Sequence, residues 1–110
     1  MKAIAWIGSS LEDVKDFPDE AKQAAGYQLH RLQSGELPTD WKPMATIGSG
    51  AQEIRIWDDS GAFRVIYVAK FEEAIYVLHA FQKKTQRTST ADIQLAKARY
   101  KEMVKMKYEH

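Results

Sequence analysis

The chain has 110 residues, of which 45% are hydrophobic, and a formal net charge of +1, which are properties of a single globular domain. It contains no cysteine, so disulfide bonds, a thiolate nucleophile and cysteine-bound zinc or iron–sulfur sites are excluded. Its longest apolar runs fall far short of the roughly 18 residues of a membrane span, and the N-terminal run is too short for a signal peptide, so we expect one cytoplasmic domain over residues 1–110 without membrane contact.

The N-terminal half predicts a strand, two helices and a second, short strand. The first strand ends at Gly8, and Ser9 or Ser10 is a suitable cap for the helix that follows. Pro18 separates the two helices, because proline is favoured in the first turn of a helix and disfavoured further along. The four elements are predicted over residues 2–7, 11–17, 18–34 and 44–47.

The C-terminal half predicts three strands joined by short loops, followed by a helix. The run Asp58-Asp59-Ser60-Gly61 is typical of a tight hairpin loop between the first two of these strands. Ser89 or Thr90 is the predicted cap of the last helix. The strands are predicted over residues 52–57, 62–70 and 74–82, and the helix over residues 90–107. The order β-α-α-β-β-β-β-α indicates an α+β fold, with helices on one face of a mainly antiparallel sheet.

The small net charge conceals an uneven distribution. The first 55 residues carry a net charge of −2 and the remainder +3, with basic residues concentrated after His79. A basic surface of this kind binds polyanions, although a basic helix is more often only a solvated face. Charge alone therefore leaves nucleic-acid binding open.

Two arginines lie inside predicted strands. Arg64 interrupts an otherwise apolar run, and Arg55 points away from the face that two neighbouring isoleucines share. A guanidinium in such a place costs desolvation free energy unless it pairs with an anion or lies on an open face. A salt bridge with Glu53, Asp58 or a helix carboxylate is the alternative, and it explains Arg55 more readily than Arg64.

The following strand contains His79 and ends at Lys83 and Lys84. Cations at neighbouring strand ends suit a phosphodiester, because arginine binds the phosphate and stabilises transition-state charge. Lysine, histidine or tyrosine can move protons from a ribose 2′-hydroxyl and to the leaving 5′-oxygen. A lone histidine in an apolar strand is, however, more often a hydrogen-bonded core residue. Three aromatic residues are candidates for stacking on a base, with core packing as the alternative: Tyr67, Phe81 and Trp57.

Motifs for other chemistry are missing from the sequence. The histidines His30, His79 and His110 lack metal-ligand spacing, and Gly48-Ser49-Gly50 is too short for a phosphate-binding P-loop. We therefore predict neither a metal nor a cofactor.

Three segments of the chain resemble the phage-derived host-inhibition, HigB-like branch of the RelE/ParE toxin superfamily. They are residues 63–67, 75–88 and 93–99, and the most specific part is the run Tyr-Val-Leu-His-Ala-Phe-Gln-Lys-Lys-Thr at 76–85. The resemblance implies a RelE-like fold and the toxin of a type II toxin–antitoxin pair. It also implies an antitoxin with a helix-turn-helix DNA-binding domain. Most RelE-like members cleave mRNA in the ribosomal A site without a metal, by in-line attack of the 2′-hydroxyl.

The resemblance also assigns roles to individual residues. Arg64 matches the central-strand arginine that binds the phosphate and the transition state, and Arg55 matches a basic position on the preceding strand. Lys83, with Lys84 beside it, matches the basic residue that ends the following strand. His79 belongs to the signature of the branch, and a structural role for it stays open.

The sequence thus yields two sets of candidate residues and three hypotheses for function. The candidate catalytic residues are Arg64, Lys83, Arg55, Lys84 and His79. The candidate RNA-binding residues are Arg87, Tyr67 and Lys42. The first hypothesis is a ribosome-dependent mRNA endoribonuclease with mRNA, the ribosome and an antitoxin as partners. The alternatives are a ParE-like inhibitor of DNA gyrase and a non-catalytic binding module of the same fold.

Overall fold

The computed structural model describes residues 1–108, so His110 lies outside the described residues, as does the end of the predicted 1–110 domain. Within the described chain, the order of strands and helices is the predicted one. The strands are β1 (Ala3–Trp6), β2 (Trp41–Pro43), β3 (Ala51–Asp58), β4 (Gly61–Val68) and β5 (Ala74–Lys83). The helices are α1 (Ser10–Lys15), α2 (Asp19–Gln33) and α3 (Thr90–Tyr108).

The strands form one sheet in the order β1-β5-β4-β3-β2. Strands β2 to β5 pair antiparallel with their neighbours, whereas β1 pairs parallel with β5 at one edge. At the β3–β4 hairpin Asp58 pairs with Gly61, and the backbone N–H of Ser60 donates to the Asp58 carboxylate at 2.8 Å. The predicted α+β fold and its three-stranded antiparallel meander are confirmed.

The helices cover both faces of the sheet. Helices α1 and α2 bury Val14, Ala25 and Leu29 against one face. Helix α3 instead packs Ala96 and Met103 against the opposite face, so the prediction of helices on a single face is wrong for α3. The physical reason is that β4 is apolar on both of its faces, and each apolar face of a sheet must be covered.

The short strand predicted at 44–47 is a turn. The N–H of Ile47 donates to the Met44 carbonyl at 3.0 Å, and the true strand β2 lies just before it. Ile47 is buried in the cluster beneath α3, and a Cβ at Gly48 would lie 2.5 Å from the Tyr100 ring. These apolar and glycine residues therefore reflect packing of the turn against α3.

A bulge in β5 determines which side chains share a face with Arg64. Tyr67 pairs with Val77 but Ile66 pairs with His79, so Leu78 is an extra residue in β5. Because side chains alternate between the two faces of a strand, one extra residue reverses the alternation beyond it. The end of β5, with Lys83, consequently faces the same side of the sheet as Arg64.

Candidate active site

Basic side chains meet on the α3 face of the sheet, beyond the part that the helix covers. The strand register sets two neighbouring rows there, Arg55–Arg64–Phe81 and Trp57–Ala62–Lys83. An open depression of about 520 Å³ lies over these rows. It is lined by Arg55, Trp57, Ala62, Arg64, Lys83, Lys84, Thr85 and Gln86. We call this depression the cationic pocket.

Arg64 lies at the base of the cationic pocket and is 1% exposed. One guanidinium nitrogen, Nη1, donates to the Phe63 carbonyl at 3.1 Å. Nε lies 3.5 Å from Glu53 Oε1 and has no hydrogen-bond partner in the described chain. Burial lowers the pKa of Arg64, the Glu53 carboxylate opposes that shift, and Arg55 adds to it. Arg64 therefore keeps donor capacity that the protein itself does not use.

Glu53 is the buried carboxylate of the site. It is 1% exposed, and its Oε1 lies 3.5 Å from Arg64 Nε and 3.8 Å from Lys42 Nζ. Its Oε2 is buried and accepts no hydrogen bond from residues 1–108. From the sequence, Glu53 is predicted as a possible salt-bridge partner of the arginines but not as a residue of the site. Unlike Arg64, Glu53 does not line the cationic pocket, so its contacts are with the cations around the pocket.

The remaining cations of the pocket lie on β3, at the end of β5 and directly after β5. Arg55 is directly opposite Arg64 in the β3–β4 pairing, an arrangement in which like charges repel. Lys83 is half-buried at the end of β5, and burial, followed by the charge of Arg64, lowers its pKa. Lys84 is exposed on the same rim. Four cations thus line one pocket, which favours binding of an anion with several charges.

The other predicted RNA-binding cations lie at the edges of this pocket. Lys42 is exposed on β2, beside Glu53. Arg87 is exposed in the loop before α3 and lines a second, smaller depression that shares Lys83 and Lys84 with the cationic pocket. RNA binding by Lys42 and Arg87 stays a prediction.

His79 is held inside the protein. It is 5% exposed, and its Nε2 lies 2.7 Å from Asp92 Oδ1 on α3, while Nδ1 lies 4.0 Å from Asp13 Oδ2 on α1. Its ring stacks on Phe81 at 4.9 Å, and it does not line the cationic pocket. These contacts agree with a structural role for His79, in which its side chain connects β5 to helices α1 and α3.

Tyr67 cannot reach RNA from its position. It is 0% exposed, on the sheet face that α1 and α2 cover. Burial raises the pKa of its hydroxyl, which has no hydrogen-bond partner in the part of the chain described. The prediction of RNA binding by Tyr67 is therefore wrong, because β-strand alternation places it on the opposite face from Arg64. The aromatic side chain that does line the pocket is Trp57, which is 64% exposed.

Residues 1–108 contain neither a cluster of metal-ligating side chains nor a membrane-spanning helix. No three histidine, aspartate or glutamate side chains there are grouped so that they could hold a metal ion. None of the helices α1 to α3 combines the length and the apolar character needed to cross a membrane.

Comparison with known families places this site in context. A family model described as phage derived protein Gp49-like (DUF891) matches residues 12–101, which include the whole cationic pocket. The chain belongs to the Gp49-like family. This family is part of the RelE/ParE-like toxin superfamily, and its members are toxin-like phage-derived proteins, which implies an antitoxin as partner. A comparison with curated proteins finds no match.

Proposed function

We propose that this Gp49-like protein is the toxin of a type II toxin–antitoxin pair, from the HigB-like branch, and cleaves mRNA on the ribosome as a metal-free endoribonuclease. The main support for the proposal is that Arg64 is buried and has hydrogen-bond donors without partners among the described residues. A buried arginine with unused donors lies below an open pocket, opposite a second arginine and beside Lys83. An anion with several oxygen atoms, such as a phosphodiester, is the ligand that these groups would satisfy.

In the proposed reaction the 2′-oxygen attacks the adjacent phosphorus. The bond to the 5′-oxygen of the next nucleotide breaks, which leaves a cyclic phosphate and a free 5′-hydroxyl. Arg64 binds the phosphate oxygens and stabilises the negative charge that develops on them, with Arg55 adding its charge from the neighbouring strand. Glu53 keeps Arg64 and Lys42 in place from below.

We assign proton transfer to Lys83 and Lys84. Lys83 lines the pocket, and its lowered pKa means that its neutral form is more accessible than that of an ordinary lysine. A neutral amine at this position accepts the proton of the 2′-hydroxyl. Lys84 is exposed beside it and donates a proton to the leaving 5′-oxygen.

The test is expression of the wild type and of Arg64→Lys in cells without the antitoxin, with translation and mRNA 5′ ends monitored. Lysine preserves the charge beside Glu53 but not the bidentate geometry, so we expect the fold to remain and cleavage to fall about 100-fold or more. Lys22→Ala, which removes an exposed cation of α2, is the matched control and should cleave like the wild type.

Two outcomes would contradict the proposal. Unchanged translation together with gyrase-linked DNA breaks would assign the protein to the ParE-like class. Harmless expression of the wild type without an antitoxin would remove the toxin assignment and leave a non-catalytic binding module.

A further inference from the structure

Trp57 is an exposed tryptophan at the edge of the cationic pocket. It is 64% exposed, although large aromatic side chains are usually mostly buried. Its direct neighbour across the sheet is Ala62, whose methyl group is too small to cover an indole ring. The guanidinium of Arg64 lies 5.2 Å from the centre of the indole, which leaves the rest of the ring surface to solvent.

The position of Trp57 relative to the arginines matches the layout of a nucleotide. Trp57 is two residues beyond Arg55 on the same face of β3, a separation of about 6.8 Å along an antiparallel strand. The indole is therefore close enough to a phosphate held by Arg55 and Arg64 for the base of an adjoining nucleotide to reach it. Aromatic side chains beside cationic grooves are the usual platforms for bases of single-stranded nucleic acids.

We propose that the indole of Trp57 stacks on the base next to the scissile phosphate, so that the site takes single-stranded RNA with an unstacked base. This inference rests on the proposed ribonuclease function and identifies the form of its substrate. A base inside a duplex has both of its faces covered by neighbouring bases and cannot stack on Trp57. Stacking on an aromatic side chain contributes roughly 5- to 150-fold to affinity per base.

The test uses a short single-stranded RNA with a 2′-deoxy nucleotide at the cleavage position, so that it binds without being cut. Binding is measured by fluorescence anisotropy for this RNA and for versions with an abasic nucleotide at each position near the scissile phosphate. In the wild type, one abasic position should weaken binding about 10-fold. Trp57→Leu should weaken binding of the intact RNA by a similar factor and show no further loss at that position.

Two variants separate stacking from a structural effect. Trp57→Phe retains an aromatic ring and should recover most of the affinity together with the position-specific abasic penalty. Tyr27→Leu removes another exposed aromatic residue, 58% exposed on α2, and should bind like the wild type. Thermal unfolding of each variant confirms that the fold is retained.

The outcomes separate this inference from the function on which it rests. If the abasic penalty is the same in Trp57→Leu as in the wild type, stacking is overturned, while cleavage that depends on Arg64 keeps the ribonuclease proposal intact. If the wild type cleaves mRNA on ribosomes but does not bind this RNA, stacking on Trp57 is overturned and the proposed function stands. If it neither binds this RNA nor cleaves mRNA on ribosomes, the proposed function fails and the inference fails with it. Stronger binding of a duplex than of the single strand would also overturn the inference.

Discussion

Two buried arginines, Arg64 and Arg99, have opposite surroundings. Arg99 lies on α3 and is 9% exposed; its Nη1 donates to the Leu78 carbonyl at 3.0 Å and its Nη2 to Ser9 Oγ at 2.8 Å. Asp13 lies 3.6 Å from it. Arg64 is more deeply buried, and its Nη1 donates to the carbonyl of the residue before it. Its Nε lies 3.5 Å from Glu53 but makes no hydrogen bond within residues 1–108, and another arginine is its direct cross-strand neighbour.

The difference separates an arginine used for structure from one available to a ligand. The backbone is fitted around Arg99, since Gly8 has a φ of +58° and a Cβ there would lie 2.6 Å from Arg99 Nε. Around Arg64 the chain leaves a pocket and a second positive charge, and the Glu53 carboxylate at 3.5 Å offsets the burial of the guanidinium only in part, since the pKa of Arg64 is still lowered. Sites with locally unfavourable electrostatics are typical of function.

The largest effect on stability should come from Arg99→Met. Removal of the guanidinium takes the donor from the Leu78 carbonyl and the charged partner from the Asp13 carboxylate, which keeps its hydrogen bond from Ser9 Oγ. We expect the free energy of unfolding in urea to fall by about 3 kcal/mol, the low end for breaking a buried pair, because Asp13 is partly exposed. Lys97→Met on the same helix is the control and should change it by less than about 0.5 kcal/mol. A loss below about 1 kcal/mol for Arg99→Met would contradict the structural role.

The Arg64–Glu53 pair should behave differently. Replacing both partners, as Arg64→Met with Glu53→Met, removes the buried charges together. We expect the free energy of unfolding to change by no more than about 1 kcal/mol, because a buried ion pair is often no more stabilising than apolar residues of similar volume. Cleavage of mRNA should nevertheless fall about 100-fold or more, as measured from 5′ ends on ribosomes. A loss of stability as large as that of Arg99→Met would remove the contrast between the two arginines.

The sequence was sufficient to predict most of the fold. Apolar runs and turn residues identified the β3–β4–β5 meander, and Pro18 separated α1 from α2. The segment at 44–47 was mispredicted because a short apolar run is the same whether it alternates in a strand or packs in a turn under α3. The position of α3 on the second face follows from tertiary packing, although the two apolar faces of β4 already required cover on both sides.

The residues of the site could be predicted from the sequence, but their arrangement on one face of the sheet could not. Arg55, Arg64, Lys83 and Lys84 do line one pocket, as proposed from their strand positions. Simple alternation along β5 would, however, have placed Lys83 on the other face, and only the extra residue Leu78 brings it to Arg64. No local signal in the sequence marks that bulge.

The smallest predicted effect concerns a second attachment of α3, near its C-terminal end. Lys107 hydrogen-bonds Glu73 and lies 3.9 Å from the centre of the Phe71 ring. The hydrogen bond from Lys107, with further contributions that include one from Tyr76, lowers the pKa of Glu73 from 4.5 to about 2. A lowered folded-state pKa gives stability that is complete above the unfolded pKa and lost as the pH falls through the folded one. The urea midpoint of the wild type should therefore exceed that of Glu73→Gln at pH 6, and the difference should disappear as the pH falls from about 4.5 to about 2.

The control for this prediction is Glu102→Gln, which makes the same change of charge at an exposed position of α3. A difference between the wild type and Glu73→Gln that persists unchanged at pH 2 would show that the carboxylate charge is not its source. Combining Glu73→Gln with Arg99→Met then tests how α3 is held. If the two effects add, the Lys107–Glu73 contact holds the end of the helix independently of Arg99; if the Glu73 effect vanishes, α3 leaves the sheet as one unit once Arg99 is lost.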